Sequence, residues 1–354
     1  MKKALIAMSG GVDSSLAAKM MIDLGYECIG CTMKLYHNED IGVERSRTCC
    51  SLDDVEDARS VAYKLGMPYY VFNFSEGFRE KVMRKFVQCY EAGITPNPCI
   101  DCNRYMKFDK LYERAKLLGC DYIVTGHYAR IEYDGNRYLL KKAVDDTKDQ
   151  SYVLYSMTQA QLAATMLPLG RMRKTEVRRI AEESGFVNAE KPDSQDICFV
   201  PNGDYAAFLE KYTGKTYPPG NFVSDDGAVL GEHKGIVRYT IGQHKRLGIS
   251  TPEPMYVSRI NIKENTVTLG TAQDIYSTET FAEDFNWISG EAPTAEIRCK
   301  VKIRYRHPEQ WATVIPTGDK TVHIIFDEPQ RAITPGQAAV LYDGDVVLGG
   351  GTIR

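Results

Sequence analysis

Between the apolar run Ala4-Leu5-Ile6-Ala7 and an amphipathic segment ending at Leu24 lies Ala7-Met8-Ser9-Gly10-Gly11-Val12-Asp13-Ser14-Ser15, and no other stretch constrains the chain as strongly. Its pattern is that of a strand, a tight glycine turn and a helix N-terminus. Paired glycines let backbone fold closely around a ligand. The unpaired N–H groups of the first helical turn, with the Ser9, Ser14 and Ser15 hydroxyls, make an anion site, and a phosphate chain suits it. A lone glycine pair could merely join a strand to a helix. Three hydroxyls and the Asp13 carboxylate in one loop favour a ligand. Neither the Gly-Lys-Ser/Thr ending of the Walker loop nor the spaced glycines of the dinucleotide fingerprint is present.

The segments that follow alternate in period. Val12, Leu16 and Met20 recur at helical spacing and Gly25 supplies a stop. Cys28 to Met33 is a strand, with Met33 at the carboxyl end where a doubly wound sheet receives its ligand. Val55, Ala58, Val61, Ala62 and Leu65 form the apolar face of a helix that begins at the capping-box spacing Ser51-x-x-Asp54. Tyr69 to Phe74 is the next strand; Phe108, Leu111, Ala115 and Leu118 mark another helix, and Asp121 to Thr125 a strand running into Gly126-His127. Strand–helix alternation implies an α/β fold with a parallel sheet covered on both faces. Gly126 leaves bare backbone for a nucleotide to approach. His127 is either catalytic or a hydrogen-bonded core histidine, the second being favoured.

The pattern changes near residue 205, where short strands and turns take over, such as Met255 to Ile262 and Thr266 to Leu269 around Lys263-Glu264-Asn265. With 354 residues the chain is expected to divide into a catalytic domain at 1–204, a small central domain at 205–280 and an antiparallel β-barrel at 281–354. No long uncharged apolar run and no signal-peptide pattern occurs, so a cytoplasmic protein without membrane contact is expected. A net charge of −3 gives no global footprint for nucleic acid, and any such binding must use local clusters. Ten cysteines in a reducing compartment point to burial, catalysis or metal binding rather than disulfides.

Two polar stretches present cysteines. Thr95-Pro96-Asn97-Pro98-Cys99-Ile100-Asp101-Cys102-Asn103-Arg104 reads as a proline-stiffened segment unlike a helix interior, and Lys191 to Val200 as a loop carrying Cys198. Arg104 is the adjacent cation that would favour a thiolate. Cys28, Cys31, Cys89, Cys120 and Cys299 read as buried, while Cys49 and Cys50 stay undecided. In Ile297 to Arg306 a period of two puts Arg298, Lys300, Lys302, Arg304 and Arg306 on one face. Cations so spaced repel one another, and a polyanion explains them better than solvent. Arg171-Met172-Arg173-Lys174, Arg178-Arg179 and His244-Lys245-Arg246 add further basic clusters, and together they suggest a structured RNA held by its phosphates.

The loop from Ser9 to Ser15 resembles the pyrophosphate loop of ATP pyrophosphatases, which split ATP between the α and β phosphates. In that resemblance Ala7, Met8, Ser9, Gly10, Gly11, Val12, Asp13 and Ser14, with Met33 and Gly126, bind ATP, and Asp13 helps hold Mg²⁺ and the leaving pyrophosphate. Over essentially its full length the chain resembles the tRNA-specific 2-thiouridylases. The matching pieces are that loop, Thr95-Pro96-Asn97-Pro98 with Cys102-Asn103, Gly126-His127, Lys148-Asp149-Gln150-Ser151-Tyr152, Asp193-Ser194 with Ile197-Cys198-Phe199, and Arg304-Tyr305-Arg306. The resemblance implies an adenine nucleotide alpha-hydrolase-like sheet and adenylation of the C2 oxygen of the wobble uridine of tRNA. Sulfur then displaces AMP. It further implies a persulfide on Cys198 received from a relay or donor protein, with Cys102 as partner nucleophile. Asn97, Pro98 and Cys99 would line the pocket for a turned-out base. Lys148, Asp149, Gln150, Arg304 and Tyr305 would contact tRNA.

The chain departs from that pattern at residue 99, where the family commonly has Asp and this sequence has Cys. Cys99, Cys102 and Cys198 then resemble the three-thiol arrangement in which related sulfur-transferring enzymes hold a 4Fe-4S cluster with one iron open. An extra cysteine without a cluster is the alternative, and Asp101 could stand in for the missing carboxylate. Rival functions are another ATP pyrophosphatase acting on a small molecule, such as an argininosuccinate synthetase or an amidating enzyme, and a non-catalytic RNA-binding protein. Neither needs Cys102 and Cys198.

Overall fold

A computed structural model describes residues 1–41, 52–193, 196–200, 203–251 and 253–354. Ser51, Cys49, Cys50 and Ser194 lie outside the described residues. The expected α/β layer is present as a five-stranded parallel sheet. Its order is Tyr69–Asn73, Glu27–Lys34, Lys3–Ala7, Tyr122–Val124, Thr165–Met166. Lys3–Ala7 at its centre pairs in register with both neighbours, and Ala4, Leu5 and Ile6 are fully buried. The helices Val12–Asp23 and Leu52–Lys64 pack Val12, Ala17, Ala18 and Met21 against Ala58, Val61 and Ala62. The phosphate loop therefore leaves the carboxyl edge of the middle strand, where a doubly wound sheet places its ligand.

Two segments differ from their sequence-based expectation. Thr95 to Arg104 is helical from Pro98: Pro98–Asp101 is an α-helical turn, Cys102–Lys110 is wound as a π-helix, and Leu111–Leu117 returns to α. Pro98 occupies the first helical position, where its missing N–H costs nothing, and the Asn97 side chain accepts from Cys99 N at 3.2 Å. The basic strand ends at Lys302 rather than Arg306, because Ile303 onward turns.

After the helix Tyr205–Thr213 comes a four-stranded sheet in the order Tyr256–Asn261, Thr266–Gly270, Gly220–Val223, Val229–His233. Its inner residues Phe222, Val257, Val267 and Leu269 share one apolar cluster with Phe78, Phe86, Phe199 and Phe208 of the preceding helices and loop. The last strands form an antiparallel barrel, closed where Tyr276–Trp287 pairs with Val346–Ile353. The hairpin Arg130–Tyr133 and Tyr138–Lys141 extends that sheet through Lys141 opposite Val346, which stitches the first domain to the barrel. Among the described residues no helix is long and apolar enough to cross a membrane.

Candidate active site

Gly10 takes φ +75°, and a Cβ there would lie 2.4 Å from the Asp54 carbonyl oxygen, so this position requires glycine. Gly11 is extended, with only Ser9 Oγ 3.5 Å from a Cβ position. The glycine demand of the loop thus falls on Gly10. Ser14 Oγ donates to Gly11 O at 3.0 Å and accepts from Ser9 N at 3.2 Å, which folds the loop over its own helix. Asn188, which sequence reasoning missed, locks it from outside: its Nδ2 donates to Gly10 O and Ser15 Oγ, both at 2.9 Å. Gly126 packs directly on the loop, since a Cβ there would stand 2.8 Å from the Asp13 and Ser14 main chain.

Asp13 is the centre of a charge network. Lys174 Nζ donates to both Asp13 carboxylate oxygens at 2.7 Å, and Tyr128 Oη donates to Oδ1 at 2.7 Å. Lys174 is 7% exposed and also meets Asp193 at 2.8 Å. Asp193 gathers two further cations, Lys148 at 2.8 Å and Arg178 at 3.0 Å. Burial would raise the Asp193 carboxyl, but its hydrogen bonds with Lys148 and Lys174 and their charges outweigh that and hold it at about 2. The Tyr128 phenol is pushed far above its usual range by burial and by the Asp13 charge, so it stays a donor. Read as part of a surface cluster in the sequence, Lys174 is instead a buried member of the phosphate site. Arg171 pairs with Glu132 and Arg179 with Glu183, so their charges are also matched within the protein.

The 148–150 segment is held from several sides. Asp149 Oδ1 accepts from Ala143 N and Ser151 N, Gln150 Oε1 accepts from Tyr128 N at 2.9 Å, and Tyr305 Oη donates to Asp149 O at 3.0 Å. Arg304 turns inward: Nη2 donates to Ile241 O and Ala332 O at 3.0 Å and to Thr334 Oγ1, joining the small sheet's loops to the barrel. Burial, with Arg331 nearby, lowers its guanidinium from the usual value. His127 is buried with Nδ1 2.7 Å from Thr125 Oγ1, and burial, then the Lys107 charge, keep it well below the usual histidine range. His127 is thus a neutral histidine, hydrogen-bonded within the protein.

Cys102 and Cys198 are half-buried, and both pack against the cluster that contains Phe199. Phe199 is 1% exposed and meets Phe86 and Phe208 edge-on at 5.2 Å, which anchors the Cys198 loop; Tyr36 Oη donates to Cys198 O at 2.7 Å. Cys99 is exposed. Among the described residues no three His, Cys, Asp or Glu side chains gather as a metal-holding group, so Cys99, Cys102 and Cys198 as arranged do not fit a 4Fe-4S cluster. Arg104 pairs with Asp284 of the barrel. Asp101 is buried beside Lys85 at 2.7 Å, and burial raises its carboxyl against the pull of that lysine. Cys28, Cys31, Cys120 and Cys299 are buried as expected, and burial raises each thiol; Cys89 is half-buried instead, lying beside Lys85 and Asp101 on the surface of its helix.

A parallel sheet with a phosphate loop at the carboxyl end of its central strand and an acidic residue inside that loop define a nucleotide-binding fold. Residues 2–202 match the family model described as tRNA methyl transferase HUP domain, 206–271 the tRNA methyl transferase PRC-barrel domain, and 277–353 the aminomethyltransferase beta-barrel domain. The chain is 52% identical to the tRNA-specific 2-thiouridylase MnmA of Clostridioides difficile (strain 630), over 100% of its own length and 98% of that protein's. Identity is 50% to the proteins of the same name from Acetivibrio thermocellus and Symbiobacterium thermophilum, covering all of this chain and 99% and 92% of theirs. The chain belongs to the tRNA-specific 2-thiouridylase family.

Proposed function

We propose that this chain converts the wobble uridine of tRNA to 2-thiouridine. The C2 oxygen attacks the α-phosphorus of ATP and pyrophosphate leaves; sulfur then attacks C2 and AMP departs with the oxygen. One observation carries the reading: buried Lys174 bridges Asp13 of the phosphate loop and Asp193, five residues before Cys198, so the ATP loop and the cysteine loop belong to one charge network. Methyl transfer, which two of the family descriptions mention, needs neither a pyrophosphate loop nor paired cysteines. Ala7 to Ser14, with Met33 and Gly126, form the ATP site. Asp13, 30% exposed, and the exposed Ser9 offer the hard oxygen donors that suit Mg²⁺ beside phosphate, and the ion when bound would neutralise charge on the pyrophosphate.

For the sulfur step, a donor protein leaves a persulfide on Cys198. The terminal sulfur attacks C2 and the C2–O bond breaks. Cys102 thiolate then attacks the Cys198 sulfur, and the S–S electrons pass to the C2 sulfur as N3 regains the proton lost on adenylation. A Cys102–Cys198 disulfide remains, which an external thiol reduces. No step runs through a cluster. Asn97, Pro98 and Cys99, at the start of their helix, receive the base. Lys148 and Tyr305 meet the tRNA, while the bonded side chains of Asp149, Gln150 and Arg304 keep them in place. This labour divides among units 1–204, 205–280 and 281–354, in the cytoplasm. Mass spectrometry of tRNA nucleosides after incubation with ATP, Mg²⁺, persulfide donor and thiol tests the reading. It should give 2-thiouridine with the parent protein and none with Asp13→Ala, which melts lower because Lys174 and Tyr128 lose a partner but is folded at the assay temperature; equal product from both proteins would refute the assignment of Asp13.

A further inference from the structure

The outer face of the barrel strand Ile297–Lys302 carries a feature that the active site does not use. Trp311 lies opposite Lys300 in the strand register and is 50% exposed. The Arg298 guanidinium and the Lys300 ammonium each stand 5.6 Å from its ring centroid. Two residues further along the strand, Lys302 lies 6.0 Å from the Tyr152 ring and 5.8 Å from the Tyr305 ring, the latter side chain being 37% exposed. Cations on this face are therefore about 7 Å apart and lie beside the exposed rings of Trp311 and Tyr305. Arg298 is matched by Asp327. Lys300, Lys302 and Arg306 have no carboxylate within ion-pair distance among the described residues. The face is continuous, through Tyr305 and Asp149, with the 148–150 segment.

We propose that Trp311, Lys300 and Lys302 form a platform on which an unpaired tRNA nucleotide stacks, its base on the indole and its flanking phosphates on the two lysines. The proposal rests on the tRNA reading above. Arg298, already neutralised, orients the indole instead of meeting phosphate. An acidic protein surface would satisfy the lysines but would leave the half-exposed indole unstacked, whereas every nucleotide supplies a π-face as well as a phosphate. Lys302 is half-buried, and burial lowers its ammonium from the usual value, so a phosphate beside it gains from the reduced solvent screening.

Intrinsic fluorescence excited at the red edge reads this directly, because the chain has two tryptophans and Trp287 is 8% exposed. Unmodified tRNA should quench the full-length parent. The quench should vanish in Trp311→Phe at nearly parental affinity, while Trp311→Ala should bind roughly tenfold more weakly, the scale of one lost base stack. Lys300→Gln should lower the slope of log K against log salt by ~0.7. Parental affinity of Trp311→Ala, or tRNA binding without a Trp311-dependent quench, overturns the platform and leaves thiolation standing. A chain that binds no tRNA contradicts both.

Discussion

Asp193 shows how one carboxylate can set a site. Three cations converge on it, and its depressed value means that it favours folding fully above its ordinary pKa of 3.8 and loses that contribution as pH falls toward about 2. The stability difference between the parent and Asp193→Asn, followed by denaturant unfolding, should accordingly be constant from pH 7 to about 4 and shrink below it; a difference that persists undiminished at pH 2 would show that the carboxylate charge is not the source. Cys99 makes the second residue-scale test. It is exposed at the start of its helix and belongs to no metal-holding group among the described residues, so Cys99→Asp should retain thiolation, whereas Cys102→Ala and Cys198→Ala should abolish it. Iron near four atoms per chain in anaerobic preparations, lost together with activity in Cys99→Asp, would instead require the cluster.

At the scale of elements, the phosphate loop and the parallel strands were legible because their signals are local: glycine in a turn, hydroxyls at a helix start, runs of buried β-formers. The helix at Pro98 was not, although a start signal was present in Asn97 and Pro98, because prolines and polar residues also spell a turn. Lys174 was hidden for a stronger reason. It sits among Arg171, Arg173 and Arg178, and only its tertiary partners, Asp193 and, 161 residues away, Asp13, distinguish a buried lysine from a solvated one. A period of two places Arg304 outward only if the strand runs past its end at Lys302. Its three acceptors make it a joint, and Arg304→Ala should cost about 1–3 kcal/mol through orphaned buried groups. A lowered melting temperature with little change in the tRNA salt slope is the expected outcome; a changed slope at unaltered melting would return Arg304 to the tRNA surface.

Across the whole molecule the three regions are joined by shared packing. The Phe199 cluster runs from the helices beside the parallel sheet into the small sheet, and the hairpin at 130–141 closes onto the barrel. Cys198 is consequently positioned by the packing that joins the first two regions, and the 148–150 segment by contact with Tyr305 beyond the last basic strand. Such an arrangement suits a reaction in which one large substrate must reach a nucleotide and a sulfur in turn. In the proposed reaction ATP activates the C2 oxygen of the uridine itself. That oxygen can be followed in tRNA carrying ¹⁸O at C2 of the wobble uridine, incubated with ATP, Mg²⁺, donor and thiol. One ¹⁸O is expected in the AMP released for each 2-thiouridine formed; unlabelled AMP at the same yield of 2-thiouridine would mean that ATP activates something else.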